Sequence, residues 1–190
     1  MSFNEPTYRQ QLCEDWRAHG RDWTKPGFRA IAVHRFGNWA LASKSRVIRK
    51  LLWLIYLSLF RYIRNHYGIE VPFSTSIGRR VILGHQTGIV IHPYSEIGDD
   101  CLIRQNVTIG AVSDERFDDA PILGNGVSVG CGAVILGKVK IGTNAVIGPN
   151  VVVMSDVPPN AKVSADPPRV MQISRGLVKS HDRSRTGQQP

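Results

Sequence analysis

Aliphatic residues recur at every sixth position between Ile77 and Val157, and few folds are compatible with that spacing. Apolar residues six apart do not stay on one face of an α-helix, which has about 3.6 residues per turn. The period therefore predicts short strands separated by sharp corners. Twelve positions follow it, with two extra residues after the third and a longer break after the sixth: Ile77, Leu83, Ile89, Ile97, Ile103, Ile109, Leu123, Val129, Ile135, Ile141, Ile147 and Val153.

Glycine follows most of these aliphatic positions, and a small or β-branched residue comes four positions after most of them. Such residues suit a chain that turns a corner after each short strand. Three strands make one triangular coil, and stacked coils bury an aliphatic ladder while pairing backbone groups with the coils above and below. The sequence therefore predicts a mainly β fold, a parallel β-helix of hexapeptide repeats, from which the polar segment 111–121 loops out.

The flanks of the repeat region have a different character. Residues 1–67 carry apolar residues at helical spacing, with Pro6 and Pro26 as candidate helix starts, and predict an α-helical N-terminal region. The β-helix domain is expected at 68–173. Residues 174–190 contain few apolar residues and many Arg, Ser and Gln, which predicts a disordered basic tail.

Cysteine content and net charge limit the cellular compartments and the partners that this chain can have. The three cysteines form no CxxC pair, which argues against a disulfide framework or a zinc ribbon and favours a reducing compartment. The N-terminal residues lack the order of a secretory signal, so a cytoplasmic location is expected. The net charge of +9 lies mainly in the flanks and alone cannot distinguish nucleic acid, anionic membrane and small anionic ligands.

The basic and aromatic segment 44–64 leaves two interpretations open. Its continuous apolar run, Leu51 to Phe60, is too short to span a bilayer, which takes about 20 residues. The segment either packs as a helix against the repeat domain or a neighbouring subunit, or lies in a membrane interface. In the second case Trp53 and Tyr56 would sit among lipid headgroups, giving a peripheral contact at the inner membrane face.

Several motifs resemble those of the hexapeptide-repeat acyltransferases, in the serine acetyltransferase-like branch, over about residues 68–170. They are Leu83-Gly-His-Gln-Thr-Gly-Ile-Val90, the two-residue insertion after Ile89, Val107-Thr-Ile-Gly110 before the loop, and Val129-Gly-Cys-Gly-Ala-Val-Ile-Leu-Gly137. The resemblance implies a left-handed coil, acetyl-CoA as co-substrate without a metal, and a homotrimer or a dimer of trimers. It also implies active sites between adjacent β-helices.

The same resemblance assigns the catalytic residues. The family's histidine corresponds to His85, and its acidic partner, fifteen positions earlier, corresponds to Glu70. His85 would act as general base on an acceptor hydroxyl that attacks the thioester carbonyl. Glu70 would accept the imidazole N–H and stabilise the imidazolium as it forms.

Further positions are expected to bind the substrates. The acceptor-binding candidates are Gly84, His92 and Asp119. Coenzyme A needs backbone groups of the coils after the loop and cations for its phosphates. The corresponding candidates are Gly110, Ala111, Cys131, Gly132, Lys138 and Arg169.

Two departures from the serine enzymes bear on the acceptor. Gly84 stands where they have an Asp that binds the ammonium of serine, and Asp119-Ala-Pro121 stands where an Arg-His-Pro holds its carboxylate. A zwitterion left unpaired at both ends would cost several kcal/mol. The chain also resembles polysaccharide acetyltransferases of the colanic-acid type. We therefore expect a sugar hydroxyl as acceptor, on a lipid-linked oligosaccharide in exopolysaccharide or capsule biosynthesis, with serine O-acetylation for cysteine biosynthesis as the alternative.

Three other classes of function are weighed against this one. A zinc enzyme resembling γ-class carbonic anhydrases could use His85 and His92, but the sequence offers no convincing third ligand. A non-catalytic β-helix scaffold would not need Glu70 and His85. Nucleic-acid binding rests on charge alone, and no nucleic-acid partner is expected.

Overall fold

The structure, a computed structural model, describes residues 7–85 and 87–166. Within these residues three α-helices are followed by fourteen short strands, which form a three-sided parallel β-helix, and a 3₁₀ helix, Asp114–Arg116, lies in the loop at 111–121. The fold predicted from the six-residue period is confirmed. The predicted tail at 174–190 and the coenzyme candidate Arg169 lie outside the described residues.

Each side of the β-helix is one parallel sheet, in which every strand pairs with strands one coil away. Side one contains β1 (Ile69–Glu70), β4 (Ile89–Ile91), β7 (Thr108–Gly110), β10 (Val134–Leu136) and β13 (Val152–Val153). Side two contains β2 (Ser76–Ile77), β5 (Glu96–Ile97), β8 (Ile122–Leu123) and β11 (Lys140–Ile141). Side three contains β3 (Ile82–Leu83), β6 (Leu102–Ile103), β9 (Ser128–Val129), β12 (Val146–Ile147) and β14 (Lys162–Val163).

The interior of the β-helix is a ladder of aliphatic side chains, one from each strand. Ile103, Ile109 and Ile135 are completely buried, and most of their counterparts in the other coils are buried or nearly so. Burying one such side chain stabilises the fold by about 1.5–3 kcal/mol. The ladder is continuous, so it keeps all three sides in register.

The two extra residues of the repeat lie at a different corner from the predicted one. Leu83 pairs with Ile103, and Ile91 pairs with Ile109, so eight residues in one coil match six in the next. The insertion therefore precedes β4 instead of following Ile89. Sequence periodicity could not place it, because Ile89 and Ile91 are both buried and either residue continues the series.

The N-terminal helices are α1 (Tyr8–Ala18), α2 (Pro26–Leu41) and α3 (Arg46–Tyr67). Thr7 and Gln10 form a capping box at the start of α1, and Pro26 opens α2. At the end of α3, Gly68 adopts a left-handed conformation with φ 63°. Glycine tolerates this conformation, which turns the chain directly into β1.

A buried ion pair links α1 to α2, and its arginine also contacts the first coil. Arg35 of α2 donates to Asp15 Oδ2 of α1 at 2.9 Å and to the Ile77 carbonyl of β2 at 2.7 Å. Both side chains are almost fully buried. Removing one member of such a pair leaves an uncompensated buried charge, so the pair fixes how the helices dock.

His34 makes a second buried contact between α2 and the β-helix. Its Nε2–H donates to the Thr75 carbonyl at 2.9 Å, and its Nδ1 is buried without a partner among the described residues. Burial lowers the pKa of His34 from 6.5 to about 4. The ring is therefore neutral at physiological pH.

We expect His34 to make stability fall as the pH falls from 6.5 to 4. In that window the unfolded chain binds a proton at this histidine and the folded chain does not, which costs about 3 kcal/mol in total. The His34→Gln variant keeps an amide donor for Thr75 but cannot titrate. Urea unfolding at several pH values should give a shallower pH dependence for the variant, and parallel curves would contradict this assignment.

Candidate active site

The corner that contains the two extra residues carries His85. It joins β3 to β4, and three of its described residues have positive φ: His85 at 67°, Thr87 at 96° and Gly88 at 68°. A β-branched residue such as Thr87 rarely adopts this conformation, and such strain clusters at functional sites. The corner projects from the coil, and the His85 side chain is exposed.

A cavity of about 720 Å³ lies beside this corner. One wall comes from β3 and the His85 corner, and the other from the segment between α1 and α2 together with the first residues of α2. Gly27 forms part of the α2 wall and is buried against the Leu83 carbonyl. The helical region thus converts a convex edge of the β-helix into a concave site.

His19 at the end of α1 connects the two walls. Its Nδ1–H donates to the Asp15 carbonyl at 2.7 Å, and its Nε2 accepts from the Leu83 backbone N–H at 3.3 Å. Burial lowers the pKa of His19. A neutral ring with the proton on Nδ1 satisfies both contacts, so His19 holds α1 against the strand that leads to His85.

Lys25 supplies the charge of the cavity. It occupies the N-cap position of α2, without a capping hydrogen bond from its side chain, and is the only Lys, Arg, Asp or Glu among the described residues that line the cavity. No carboxylate of the described chain lies within ion-pair distance of its ammonium group. The N-terminal end of α2 adds a partial positive charge at the same wall. The cavity therefore favours an anionic group.

Gln105 contributes a buried acceptor from the next coil. It lines the cavity, and its Oε1 is buried without a hydrogen-bond partner among the described residues. A buried acceptor without a donor costs about 1–3 kcal/mol. A ligand that donates a hydrogen bond here would recover that cost.

Glu70 lies on β1, the neighbouring strand to β4. It is half-buried and sits opposite Val90. Gly68, two residues earlier, packs against the backbone of Thr87 and Gly88, so the start of β1 borders the His85 corner. The structure thus brings Glu70 to the same region as His85, although no hydrogen bond between these two side chains is present among the described residues.

The other candidates divide between two edges of the prism. We call the edge that joins side three to side one the first edge, and the edge that joins side one to side two the second edge. Cys131 and Gly132 share the first edge with His85, because Gly132 N–H donates to the Gln105 carbonyl of the coil between them at 3.0 Å. Gly110, Ala111 and the exposed Lys138 lie on the second edge.

His92 and Asp119, two of the acceptor-binding candidates, also lie on the second edge, away from the His85 cavity. The His92 ring packs against Phe117 of the 111–121 loop with centroids 4.4 Å apart, and burial lowers its pKa. Asp119 accepts from Arg116 within the loop at 2.9 Å. Gly84 does line the cavity. Among the described residues, no group of three His, Cys, Asp or Glu side chains could hold a metal ion.

Comparison with known proteins identifies the family. Residues 120–154 match the family described as bacterial transferase hexapeptide (six repeats). The chain belongs to the hexapeptide-repeat acyltransferases. Serine acetyltransferase of Synechococcus elongatus is 36% identical over 159 residues, 84% of this chain and 62% of that protein. The chain thus spans about 62% of the length of this curated relative.

Solved structures of hexapeptide-repeat acyltransferases agree in fold. Soybean serine acetyltransferase complexed with serine has a TM-score of 0.71 and 30% identity, covering 88% of this chain and 70% of that chain. Serine acetyltransferase from Brucella abortus strain S19 in complex with coenzyme A has a TM-score of 0.70 and 25% identity, covering 85% and 66%. The left-handed β-helix implied by the sequence resemblance is confirmed.

These comparisons overturn the expected acceptor. The prediction of a sugar hydroxyl in exopolysaccharide or capsule biosynthesis, and of a closer likeness to colanic-acid-type enzymes, is wrong, because relatives matching most of this chain are serine acetyltransferases. The prediction compared charges at only two sites, Gly84 and residues 119–121. Asp119 is paired within its own loop, and the cavity takes its charge from Lys25 on the helical region.

Sequence reasoning missed three polar side chains of the cavity: His19, Lys25 and Gln105. His19 and Lys25 belong to helices whose docking on the β-helix has no six-residue signal. Gln105 follows the buried Ile103 at an outward position where polar residues are common. The position of Lys25 just before Pro26, a candidate helix start, was the single available hint that it lies at a helix N-terminus.

The Gly27→Ala substitution should separate the two walls. A Cβ at Gly27 would lie 2.0 Å from the Leu83 carbonyl oxygen, so α2 must move away from β3. We expect the free energy of unfolding to fall by about 1–3 kcal/mol, measured by urea denaturation. Gly84→Ala is the matched control, because a Cβ there meets nothing closer than 3.5 Å. Equal stability of the two variants would refute the close approach.

Proposed function

We propose that the chain transfers an acetyl group from acetyl-CoA to the hydroxyl of serine. The observation that carries the proposal is the placement of His85 beside a cavity whose one described ionic lining residue is the cation Lys25. An amino acid brings a carboxylate that complements this charge. The serine acetyltransferase relatives support the same acceptor.

The proposed reaction is direct transfer with His85 as general base. The imidazole takes the proton of the serine hydroxyl while the oxygen attacks the thioester carbon. The tetrahedral intermediate collapses with cleavage of the carbon–sulfur bond, and the coenzyme A thiolate takes the proton from the imidazolium. Glu70, on the strand beside the His85 corner, would orient the ring and stabilise its charged form.

Two cavity residues would hold the serine zwitterion. Lys25 and the N-terminus of α2 would bind the carboxylate, and the unpartnered Gln105 Oε1 would accept from the ammonium group. These contacts would replace the two charges that this chain lacks at Gly84 and residues 119–121. They would also place the serine hydroxyl toward His85 at the rim.

Acetyl-CoA would lie along the edges of the prism. Cys131 and Gly132 stack above the His85 corner, which suits backbone contacts to the arm that carries the thioester. Gly110, Ala111 and Lys138 would serve the remainder of the coenzyme, with Lys138 as a partner for phosphate. Arg169 stays a prediction, because it lies outside the described residues.

A homotrimer would bring the candidate residues of the two edges together in one cleft. In one prism the first edge carries His85 and the second carries Gly110, Ala111 and Lys138, so one ligand cannot easily contact both. If the second edge of a neighbouring copy faces the first edge, both sets reach the same cleft. Pairing of two trimers stays a prediction.

The His85→Ala variant tests the chemistry. With purified protein, thiol release from acetyl-CoA in the presence of L-serine should fall about 10²–10⁴-fold in kcat, the usual contribution of a general base. His66→Ala, at an exposed histidine on α3, is the control and should retain wild-type activity. If L-serine does not accelerate thiol release by the wild-type protein, serine is not the acceptor. If His85→Ala turns over as fast as the wild type, His85 is not the general base.

The Lys25→Ala variant tests the carboxylate contact. Loss of a hydrogen bond to a charged group should raise the KM for L-serine about 10- to 100-fold. Lys25→Arg should retain most of the affinity, and Lys44→Ala, at an exposed lysine after α2, should have no effect. With L-serine amide, which has no carboxylate, wild type and Lys25→Ala should be equal. A similar KM change for serine and its amide would contradict the contact.

A further inference from the structure

The outward side of α3 carries a mainly apolar surface, interrupted by the exposed Ser58. Leu51 and Leu54 are 60% and 61% exposed, and Val47, Ile48, Ile55, Leu59 and Tyr62 are exposed beside them. With about 3.6 residues per turn, these seven residues fall on one side of the helix. We call them the α3 apolar surface. Exposed apolar patches of this kind mark interaction sites.

The opposite side of α3 already holds the helix in the fold. Tyr56 and Ile63 are buried, and the Tyr56 hydroxyl accepts from the Phe73 backbone N–H at 3.1 Å. The Trp53 ring packs edge-on against Phe73 with centroids 5.0 Å apart. The α3 apolar surface is therefore not needed for docking on the β-helix and is left for another partner.

The charge of α3 indicates the chemistry of that partner. The helix has no Asp or Glu, and five cations lie on it: Arg46, Arg49, Lys50, Arg61 and Arg64. Within the described chain, none of the five lies within 4.0 Å of a carboxylate. They are grouped near the two ends of the apolar surface, and most of them flank one of its edges. A partner that covers this side must present apolar groups to the α3 apolar surface and anionic groups to the five cations.

We propose that α3 docks the protein on an anionic lipid bilayer. The helix would lie parallel to the membrane, with the α3 apolar surface among the upper acyl chains and the cations at the phosphates. No described helix is long and apolar enough to cross a membrane. Each cation near an anionic surface contributes roughly a fivefold gain in partitioning.

A second copy of the chain fits the same surface less well. Two α3 helices packed side by side would bring the five cations of each helix together without any acidic residue on α3 to pair them. Like charges in contact are destabilising. Anionic headgroups provide the countercharge that another α3 lacks, which is why lipid is the favoured occupant.

Vesicle flotation tests the proposal with two variants. Wild-type protein should float with vesicles of phosphatidylcholine and phosphatidylglycerol, and much less with phosphatidylcholine alone. Leu51→Gln/Leu54→Gln keeps helix propensity, removes two apolar contacts, and should reduce the bound fraction about tenfold or more. Arg61→Gln/Arg64→Gln should reduce binding to the anionic vesicles only.

The matched control lies outside α3. Val152 and Met154 are 63% and 58% exposed, and Val152→Gln/Met154→Gln should float like wild type. Wild-type protein that stays unbound with anionic vesicles would overturn the proposal, as would unchanged flotation of the Leu51 and Leu54 variant. Light scattering measures the oligomer size of the Leu51→Gln/Leu54→Gln variant and so tests whether α3 contacts another copy of the chain. A smaller oligomer in that variant, with no vesicle binding by wild type, would make α3 a protein interface and overturn the proposal.

Discussion

Parallel strands stacked coil upon coil are the constraint on which the rest of this structure depends. Each strand pairs with the strands above and below, and each inward aliphatic residue is trapped between its neighbours in the ladder. A shift by one residue would turn the apolar side chains outward, so the register cannot slip. Extra residues can leave the coil only at a corner. The insertion at His85 and the 111–121 loop both do so, and both project candidate functional groups from a rigid frame.

The helical region provides what the β-helix alone does not. An edge of a triangular prism is convex and cannot enclose a small molecule. The α1 and α2 helices close the space beside β3, and the contacts of Arg35, His34 and His19 determine where they sit. These contacts bury polar groups at a desolvation cost, which their hydrogen bonds offset only in part, because His34 Nδ1 and Asp15 Oδ1 are buried without a partner among the described residues. The position of the helices beside His85 therefore depends on these polar contacts as well as on the aliphatic core, which includes Ile31 of α2 and Ile63 of α3.

This division explains which features could be predicted from the sequence. The parallel β-helix and the extruded loop follow from spacing, because a repeated local rule is visible in any one coil. The corner of the two-residue insertion could not be assigned, since both Ile89 and Ile91 satisfy the rule. The cavity residues Lys25 and Gln105 were missed for a different reason. They come together only when a helix docks on a coil, and no local pattern encodes that approach.

The wrong prediction of the acceptor shows that the charge of a binding site cannot be inferred from one or two sequence positions. The absence of an acidic residue at 84 and of a basic residue at 119–121 favours a sugar over a zwitterion and leaves serine as the alternative. A charge needs only to lie within a few ångströms of its partner, however, and several elements border the same cavity. A cation at the start of α2 can serve a carboxylate as well as one from the loop. In the proposed function, recognition of the acceptor would therefore depend on the charge of the whole cavity, which includes helices that the repeat pattern does not describe.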